Sequence, residues 1–330
     1  MRFSVIGAGS WGTAFARLLA GAGHPTVLWV RNPRRAVEIN KIRENRSYLP
    51  GVSLPRKGLK ITTSLSETVN SGTIVLAVPS FAIDDILKKI APLLDERKVF
   101  INLAKGLDRD SGETMSGLIT TKLDVAAVFT LSGPSHAEEV GRDIPTAVVL
   151  AGTDLRLGEQ LQRAISTPRF RIYLSADIRG VELCSAVKNV IALATGVSDG
   201  LGYGDNSRGA LITRGLAEMV RFGRVFGVKE RTFFGLSGLG DLVATCTSTH
   251  SRNRSVGYRV GTGEPLADIL AGMDMVAEGV YSTEVVHNIA LKKGIEMPIT
   301  AAVYRLLYQG ADPGGLVEEI MTRAPKREGG

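Results

Sequence analysis

Cysteine is scarce in this chain: Cys184 and Cys246 are the only two in 330 residues. Their spacing matches neither a paired metal-binding pattern nor a disulfide framework, which argues against a zinc-held or bridge-stapled fold and for a reduced compartment. Each reads as a small buried side chain. Aromatic residues make up only 6% of the chain, and its basic residues are scattered instead of forming a stripe with aromatics between them. That distribution argues against a nucleic acid partner. No apolar run is expected to reach the length that crosses a bilayer, and a strand starting at Arg2 leaves no room for a signal peptide. A cytoplasmic location is the resulting expectation. No internal repeat is evident, and only the tail APKREGG has the composition of a disordered end.

What is present is an ordinary globular composition, 44% hydrophobic and 22% charged. A chain of 330 residues exceeds what one hydrophobic core usually serves, so two domains are expected. The net charge of +7 suits an anionic partner. A phosphorylated small molecule needs only a few of those cations.

The first half alternates strand and helix patterns. RFSVIGAG is a short β-branched run ending in glycines, and SWGTAFARLLAGAGH after it has helical spacing and a glycine stop. PTVLWVR, GTIVLAVP, KVFINLAKG, AAVFTLSGP and TAVVLAG give five further strands with helix-like segments between several of them. Continuous apolar strands of this kind predict a parallel sheet covered on both faces. From GVELCSAVKN onward the strand signals fade and apolar residues recur at helical periods. The predicted architecture is α/β: an N-terminal Rossmann-type doubly wound sheet over residues 1–180, then an all-helical domain over 181–330.

Gly7, Gly9 and Gly12 form G-x-G-x-x-G directly after the first strand and at the start of the first helix. Glycines there permit a tight turn and let backbone N–H groups approach a pyrophosphate, with the helix N-terminus adding partial positive charge. An NAD-selective site of this kind carries an acidic residue about 20 positions on, at the adenosine ribose. Here LWVRNPRR puts Arg31 there, 19 positions past Gly12. A guanidinium binds a 2′-phosphate that a carboxylate would repel, so NADP is the preferred cofactor and NAD the lesser one. Arg34 and Arg35, at a helix start, are expected to be solvated.

FINLAKGLDRD places Lys105 just past a strand's carboxyl end, where ligands bind in open α/β sheets. LSGPSHAEEV ends another strand with Gly133, Pro134 and Ser135 at the same crevice. His136, the only histidine expected near this edge, is read as structural. VELCSAVKNVIALATG is a helix of small and apolar residues that carries Lys188, whose helical neighbours are Cys184, Ser185, Ile191 and Ala192. Two readings of Lys188 stand: a desolvated general acid/base, or a lysine whose head snorkels to water. SGLGDLVATCTSTHSRNRSVG favours the first, because it offers Asp241 in an apolar setting as a partner for Lys188. It also carries hydroxyls at Thr245 and Ser251 beside Arg252 and Asn253, a clamp for a phosphate or carboxylate.

Taken together, GAGSWGTAFA, YLPGVSLP, AVPSFA, AKGLD, LSGPSHAEEV, VKNVIALATG, GDNSRGALITRGLAEM, GLGDLVATCTSTHSRNR and MVAEGV run nearly end to end. On these motifs the chain resembles the bacterial NAD(P)-dependent sn-glycerol-3-phosphate dehydrogenases. The resemblance implies an oxidoreductase that reduces dihydroxyacetone phosphate to sn-glycerol 3-phosphate, supplying glycerophospholipid synthesis. It implies Lys188 as acid/base, with Lys105 and Asp241 beside it. Lys105, Gly133, Ser135, Lys188, Asp241, Thr245, Ser251, Arg252 and Asn253 would meet the substrate. Gly7, Gly9, Ser10, Trp11, Gly12, Arg31, Lys105, Ala137, Arg252, Val276 and Glu278 would meet the cofactor. No metal is called for, since an ammonium beside the oxygen stabilises developing charge. The resemblance also implies that the all-helical domain is similar to the C-terminal domain of 6-phosphogluconate dehydrogenase, and a homodimer is compatible with it. Two positions depart from the family pattern: Ser185 stands where glycine is usual, and Gly209 where alanine is usual. The other readings are another two-domain reductase or β-hydroxyacid dehydrogenase, which the Ser-Arg-Asn run argues against, and a non-catalytic nucleotide sensor that kept the fold.

Overall fold

A computed structural model describes residues 1–273, 275–325 and 327. The tail APKREGG therefore lies in part outside the described residues. The chain opens with β1 (Phe3–Ile6), α1 (Ser10–Gly21), β2 (Thr26–Trp29) and α2 (Pro33–Ile42). A small hairpin, β3 (Glu44–Asn45) and β4 (Leu49–Ser53), leads to β5 (Leu59–Thr62), α3 (Leu65–Thr68), β6 (Thr73–Leu76), α4 (Ile83–Ile90) and β7 (Val99–Asn102). Then come α5 (Met115–Lys122), β8 (Ala127–Ser132), α6 (Ala137–Gly141), β9 (Thr146–Gly152), α7 (Leu155–Ile165) and β10 (Phe170–Ser175).

Eight strands form one sheet in the order β10-β9-β8-β7-β6-β1-β2-β5. From β1 the chain winds outward through β2 to β5, returns to the other side of β1, and continues from β6 toward β10. The crevice beyond the carboxyl ends of β1 and β6 is thus the switch point of a doubly wound sheet. Side chains alternate across it. Phe3 and Val5 of β1 join one apolar layer with Phe15, Leu28 and Val75, while Ile6 joins Ile74, Leu76 and Phe100 on the opposite face.

Two expectations need correcting. The sheet is not wholly parallel, because β9 runs antiparallel to β8. The segment between them holds only α6, five residues long, so it spans roughly 8 Å of helix and cannot carry the chain back along the strand for a parallel return. In addition, β5 and β10 were not anticipated as strands. Both are edge strands, in which buried Leu59, Ile61, Phe170 and Ile172 alternate with exposed Lys60, Arg171 and Tyr173. That one-faced pattern lacks the continuous apolar run that marks the central strands.

The rest of the chain is helical: α8 (Ile178–Gly200), α9 (Asp205–Val225), α10 (Asp241–Thr247), α11 (Arg252–Gly261), α12 (Leu266–Ala271), α13 (Glu278–Lys293), α14 (Pro298–Gln309) and α15 (Pro313–Met321). Asp177 caps α8 by accepting from the Gly180 N–H at 3.1 Å. Helices α9, α10, α11, α13 and α14 all pack on α8. Its contact with α11 is close because neither helix has a side chain in the way. A Cβ on Gly196 would lie 2.1 Å from the Arg254 carbonyl oxygen, and one on Gly257 would lie 2.1 Å from that of Leu193. Helix α8 also corrects the expectation about apolar runs: it is 23 residues long, and an 18-residue stretch of it has mean hydropathy 1.3, long and apolar enough to span a bilayer. That stretch is covered by protein instead, with 94% of it buried inside the fold.

Candidate active site

A cleft of about 590 Å³ runs between the sheet edge and the helices. One wall is the turn after β1. Gly7 has φ +117°, and a Cβ on it would sit 2.6 Å from the Ala77 carbonyl oxygen at the switch point. A Cβ on Gly12 would lie 1.9 Å from the Gly7 oxygen, so the helix starts tight against the strand. At Gly9, by contrast, an added Cβ would meet no protein atom within 4 Å. The first and third glycines are thus required by packing, whereas the second faces the open cleft, the distribution a pyrophosphate cradle needs. Ser10 and Trp11 follow on α1. The buried Trp11 indole N–H has no partner among the described residues. An open second glycine and an unpaired buried donor both fit a dinucleotide in this wall.

Arg31 lies just beyond β2, exposed on the cleft rim. Arg35 is half-buried, with its guanidinium carbon 4.4 Å above the Tyr48 ring, and both of these residues line the cleft too. This corrects the expectation that Arg35 would simply be solvated. Tyr48 comes from the β3–β4 hairpin, which the sequence pattern had not indicated. Arg34 is exposed.

At the cleft floor three charged side chains converge. Asp241, at the start of α10, receives Lys105 Nζ at 2.7 Å on one carboxylate oxygen and Lys188 Nζ at 3.1 Å on the other. Lys188 also donates to Thr245 Oγ1 at 2.6 Å, and that hydroxyl donates back to the Asp241 carbonyl oxygen at 2.6 Å. The Lys188 side chain is only 4% exposed and lines the cleft floor, so its head is buried beside Asp241 instead of extending into bulk water as the snorkelling reading requires. Burial is the largest influence on it and disfavours the ammonium; Asp241 favours the ammonium, Lys105 opposes it, and the pKa settles at about 8. Burial also opposes the charged form of Asp241, yet Lys105 and Lys188 outweigh it and hold the carboxyl below its ordinary value. A donor with a pKa near working pH, fixed beside a permanently ionised carboxylate, is what proton exchange with a carbonyl or alcohol requires.

Lys105 is itself held at several points. Its ammonium donates to the Gly133 carbonyl oxygen at 3.1 Å and its backbone oxygen accepts from Asn189 Nδ2 at 2.9 Å. Its backbone N–H donates to Glu278 Oε2 at 3.1 Å, while Glu278 Oε1 accepts from the Ser80 N–H at 2.8 Å. Glu278 thereby joins α13 to the sheet half at two loops. Asn253 of α11 ties α8 to α13, donating to Asn189 Oδ1 at 2.9 Å and accepting from the Gly279 N–H at 2.9 Å.

Ser251 caps α11, its hydroxyl oxygen accepting from the Arg254 N–H at 3.2 Å. Arg252 opens that helix, exposed on the cleft, and donates to the Val276 carbonyl oxygen at 3.1 Å. Ser10 Oγ lies 3.1 Å from Met275 Sδ, so the segment before α13 reaches across to the nucleotide turn. Ser135 and Ala137 line the cleft, and Gly133 stands behind them as the acceptor for Lys105. His136 Nε2 is 3.5 Å from the Ala244 carbonyl oxygen, and burial lowers its pKa. It is not alone at this edge: the His250 ring centroid lies 5.9 Å away, and both rings line the cleft.

This arrangement can be set beside known proteins. The family models described as "NAD-dependent glycerol-3-phosphate dehydrogenase N-terminus" and "C-terminus" match residues 2–157 and 177–318. The chain belongs to this family. A glycerol-3-phosphate dehydrogenase [NAD(P)+] from Nitratidesulfovibrio vulgaris is 47% identical, covering 99% of this chain and 100% of its own length. One from Pelotomaculum thermopropionicum is 45% identical, covering 99% of this chain and 95% of its own. A crystal structure of glycerol-3-phosphate dehydrogenase from Coxiella burnetii superposes with a TM-score of 0.94 at 40% identity, covering 98% of this chain and 99% of that one.

Ser185 and Gly209, the two positions expected to depart from the pattern of glycerol-3-phosphate dehydrogenases, differ in physical character. The Ser185 hydroxyl donates to the Val181 carbonyl oxygen at 2.8 Å and sits 2.5 Å from Ser132 Oγ, joining α8 to the end of β8. Gly209 is exposed on α9, where an added Cβ would meet nothing within 4 Å. Gly209→Ala is therefore expected to stabilise the protein by about 0.5–1 kcal/mol through lower unfolded-chain entropy, read as a higher urea midpoint at unchanged slope.

The residues missed by sequence reasoning are Asn189, Tyr48, Met275 and His250. Asn189 had a signal, as a polar residue beside Lys188 in an otherwise apolar helix. The other three are brought in by loops whose course no local pattern specifies.

Proposed function

We propose that this enzyme reduces dihydroxyacetone phosphate to sn-glycerol 3-phosphate, with NADPH preferred over NADH, and thereby supplies the backbone for glycerophospholipid synthesis. The observation that carries this reading is the Lys188–Asp241–Lys105 array at the cleft floor, between the glycine turn and the Ser251–Arg252 helix start. Residues 1–180 serve as the dinucleotide half and 181–330 as the substrate half. The turn of Gly7, Gly9 and Gly12 with Ser10 and Trp11 would hold the pyrophosphate, and Arg31 the 2′-phosphate. Lys105, Ala137, Arg252, Val276 and Glu278 would complete that site. When bound, the nicotinamide supplies the hydride that adds to the carbonyl carbon C2.

Lys188 does the proton work. As an ammonium it donates a proton to the C2 oxygen while C2 is reduced, and in glycerol phosphate oxidation the neutral amine takes that proton back. Asp241 keeps Lys188 charged between turnovers and Lys105 adds positive potential beside the developing alkoxide. Arg252 and Ser251 bind the substrate phosphate at the start of α11, where the helix N-terminus contributes further positive charge. Gly133, Ser135, Thr245 and Asn253 orient the remaining oxygens. Nicotinamide fluorescence tests the reading: it falls on adding dihydroxyacetone phosphate to enzyme and NADPH. No fall with either reduced cofactor overturns it. The two buried free thiols suit a reduced cytoplasm. A homodimer is the assembly proposed, and light scattering measures it.

Cofactor choice is tested at Arg31. Arg31→Asp is expected to raise the KM for NADPH far more than that for NADH, by roughly ten- to a hundredfold in the ratio, as a charge-assisted contact is replaced by repulsion. Equal changes for the two cofactors would remove Arg31 from that role.

A further inference from the structure

Glu182 is buried on the same helix as Lys188, 2% exposed, and the proposed reaction does not use it. Its Oε1 accepts from Asn102 Nδ2 at 3.2 Å, the Ser116 N–H at 3.0 Å and Thr130 Oγ1 at 2.7 Å. Its Oε2 accepts from Ser116 Oγ at 2.5 Å. These donors belong to the end of β7, the start of α5 and β8, and all are neutral. Burial pushes the carboxyl above its ordinary range despite them. A buried acid without a cation is costly relative to an apolar side chain, so stability alone does not account for it.

Asn102 supplies the connection. Its Oδ1 accepts from the Ala104 N–H at 3.0 Å and its Nδ2 donates to the Ala104 carbonyl oxygen at 3.1 Å. Both backbone polar groups of the residue before Lys105 are thus clamped by one side chain. A carboxamide can face either way, and only with Nδ2 toward the Glu182 carboxylate does the clamp match its donors to acceptors. Glu182 precedes Lys188 by six residues, roughly 9 Å along α8. One carboxylate therefore ties the helix that carries Lys188 to the loop that carries Lys105.

We propose that Glu182 is a positioning residue which, through Asn102, keeps the Lys105 loop in register with Lys188 so that both ammonium groups share Asp241. This rests on the reading of Lys188 as the acid/base. The groups that face Lys188 are Asp241 and Cys246 on α10, Lys105 from the loop after β7, and His136 before α6. Lys105 lowers the Lys188 pKa and Asp241 raises it. If the Lys105 loop drifts away, Lys188 keeps Asp241 to itself and titrates at higher pH.

Glu182→Gln turns an acceptor into an amide that cannot accept from all of these donors, and Asn102→Ala removes the clamp. Each is expected to lose roughly a hundredfold in kcat, with a smaller loss of NADPH affinity, since Lys105 is one of several groups that would hold the cofactor. The limb on which glycerol 3-phosphate oxidation rises with pH should move to higher pH in both. The double variant should lose no more than the worse single one, since both act through one contact. Thr130→Val removes a Glu182 partner that does not touch Ala104, and it should leave the limb in place. A lower Tm with the limb unmoved in Glu182→Gln and Asn102→Ala, or additive losses in kcat, would overturn the proposal. If Glu182→Gln does not fold, Asn102→Ala carries the same test. Lysine Nζ NMR reads the Lys188 titration without turnover, so a wild type inert toward dihydroxyacetone phosphate would refute the proposed reaction only, whereas an unshifted titration in Asn102→Ala would refute this inference.

Discussion

Lys188→Ala is expected to bind NADPH almost normally and to lose at least about two orders of magnitude in kcat, because general acid/base and electrostatic assistance vanish together. Cofactor affinity survives because the nucleotide turn lies across the cleft, on α1 and the loop after β1. Lys188→Arg should not rescue the loss, since a guanidinium does not release its proton in the working range. The pKa of about 8 sets the pH signature. Ketone reduction needs the ammonium, so its rate should fall as pH rises through that value. Alcohol oxidation needs the neutral amine, so its rate should climb over the same interval and then level. Stopped-flow binding of NADPH together with steady-state rates in both directions checks all of this. A near-normal kcat for Lys188→Ala both ways would return Lys188 to a structural role and move the acid/base to Lys105.

The second large effect is expected at Arg252. It opens α11 beside the Ser251 cap and stands exposed on the cleft. Lysine there keeps the charge and loses the planar fork, so Arg252→Lys should lose roughly ten- to a hundredfold in kcat/KM for dihydroxyacetone phosphate. The same reading requires unphosphorylated dihydroxyacetone to be a very poor substrate of the wild type, because binding energy from the phosphate drives the reacting end into place. Comparing kcat/KM for the two substrates in wild type and variant measures the phosphate contribution directly. Similar turnover of both by the wild type would end the idea of an arginine clamp.

Much of the site is local and therefore legible in the chain alone. Gly7, Gly9 and Gly12 occupy a strand-turn-helix whose tight contacts at Gly7 and Gly12 only glycine permits, and the period of the flanking apolar residues identifies both elements. Lys188 announces itself as a lone cation among small apolar neighbours, and Asp241 as a lone acid in another apolar stretch. The central strands are readable because burial on both faces makes them continuously apolar.

Edge strands β5 and β10 take their places from neighbouring strands, the reversal of β9 follows from the short segment after β8, and β3 of the β3–β4 hairpin is too short to carry a period, so no local apolar pattern encodes them. Tertiary structure alone decided that Asp241 is shared between two lysines instead of serving one. It also decided that Lys188 is buried at the cleft floor and that Arg35 lies against Tyr48. Residue type and spacing determined which groups were available for proton transfer and phosphate binding. Their pKa values and partners come from burial and from distances of about 3 Å between segments up to 173 residues apart, and packing sets both.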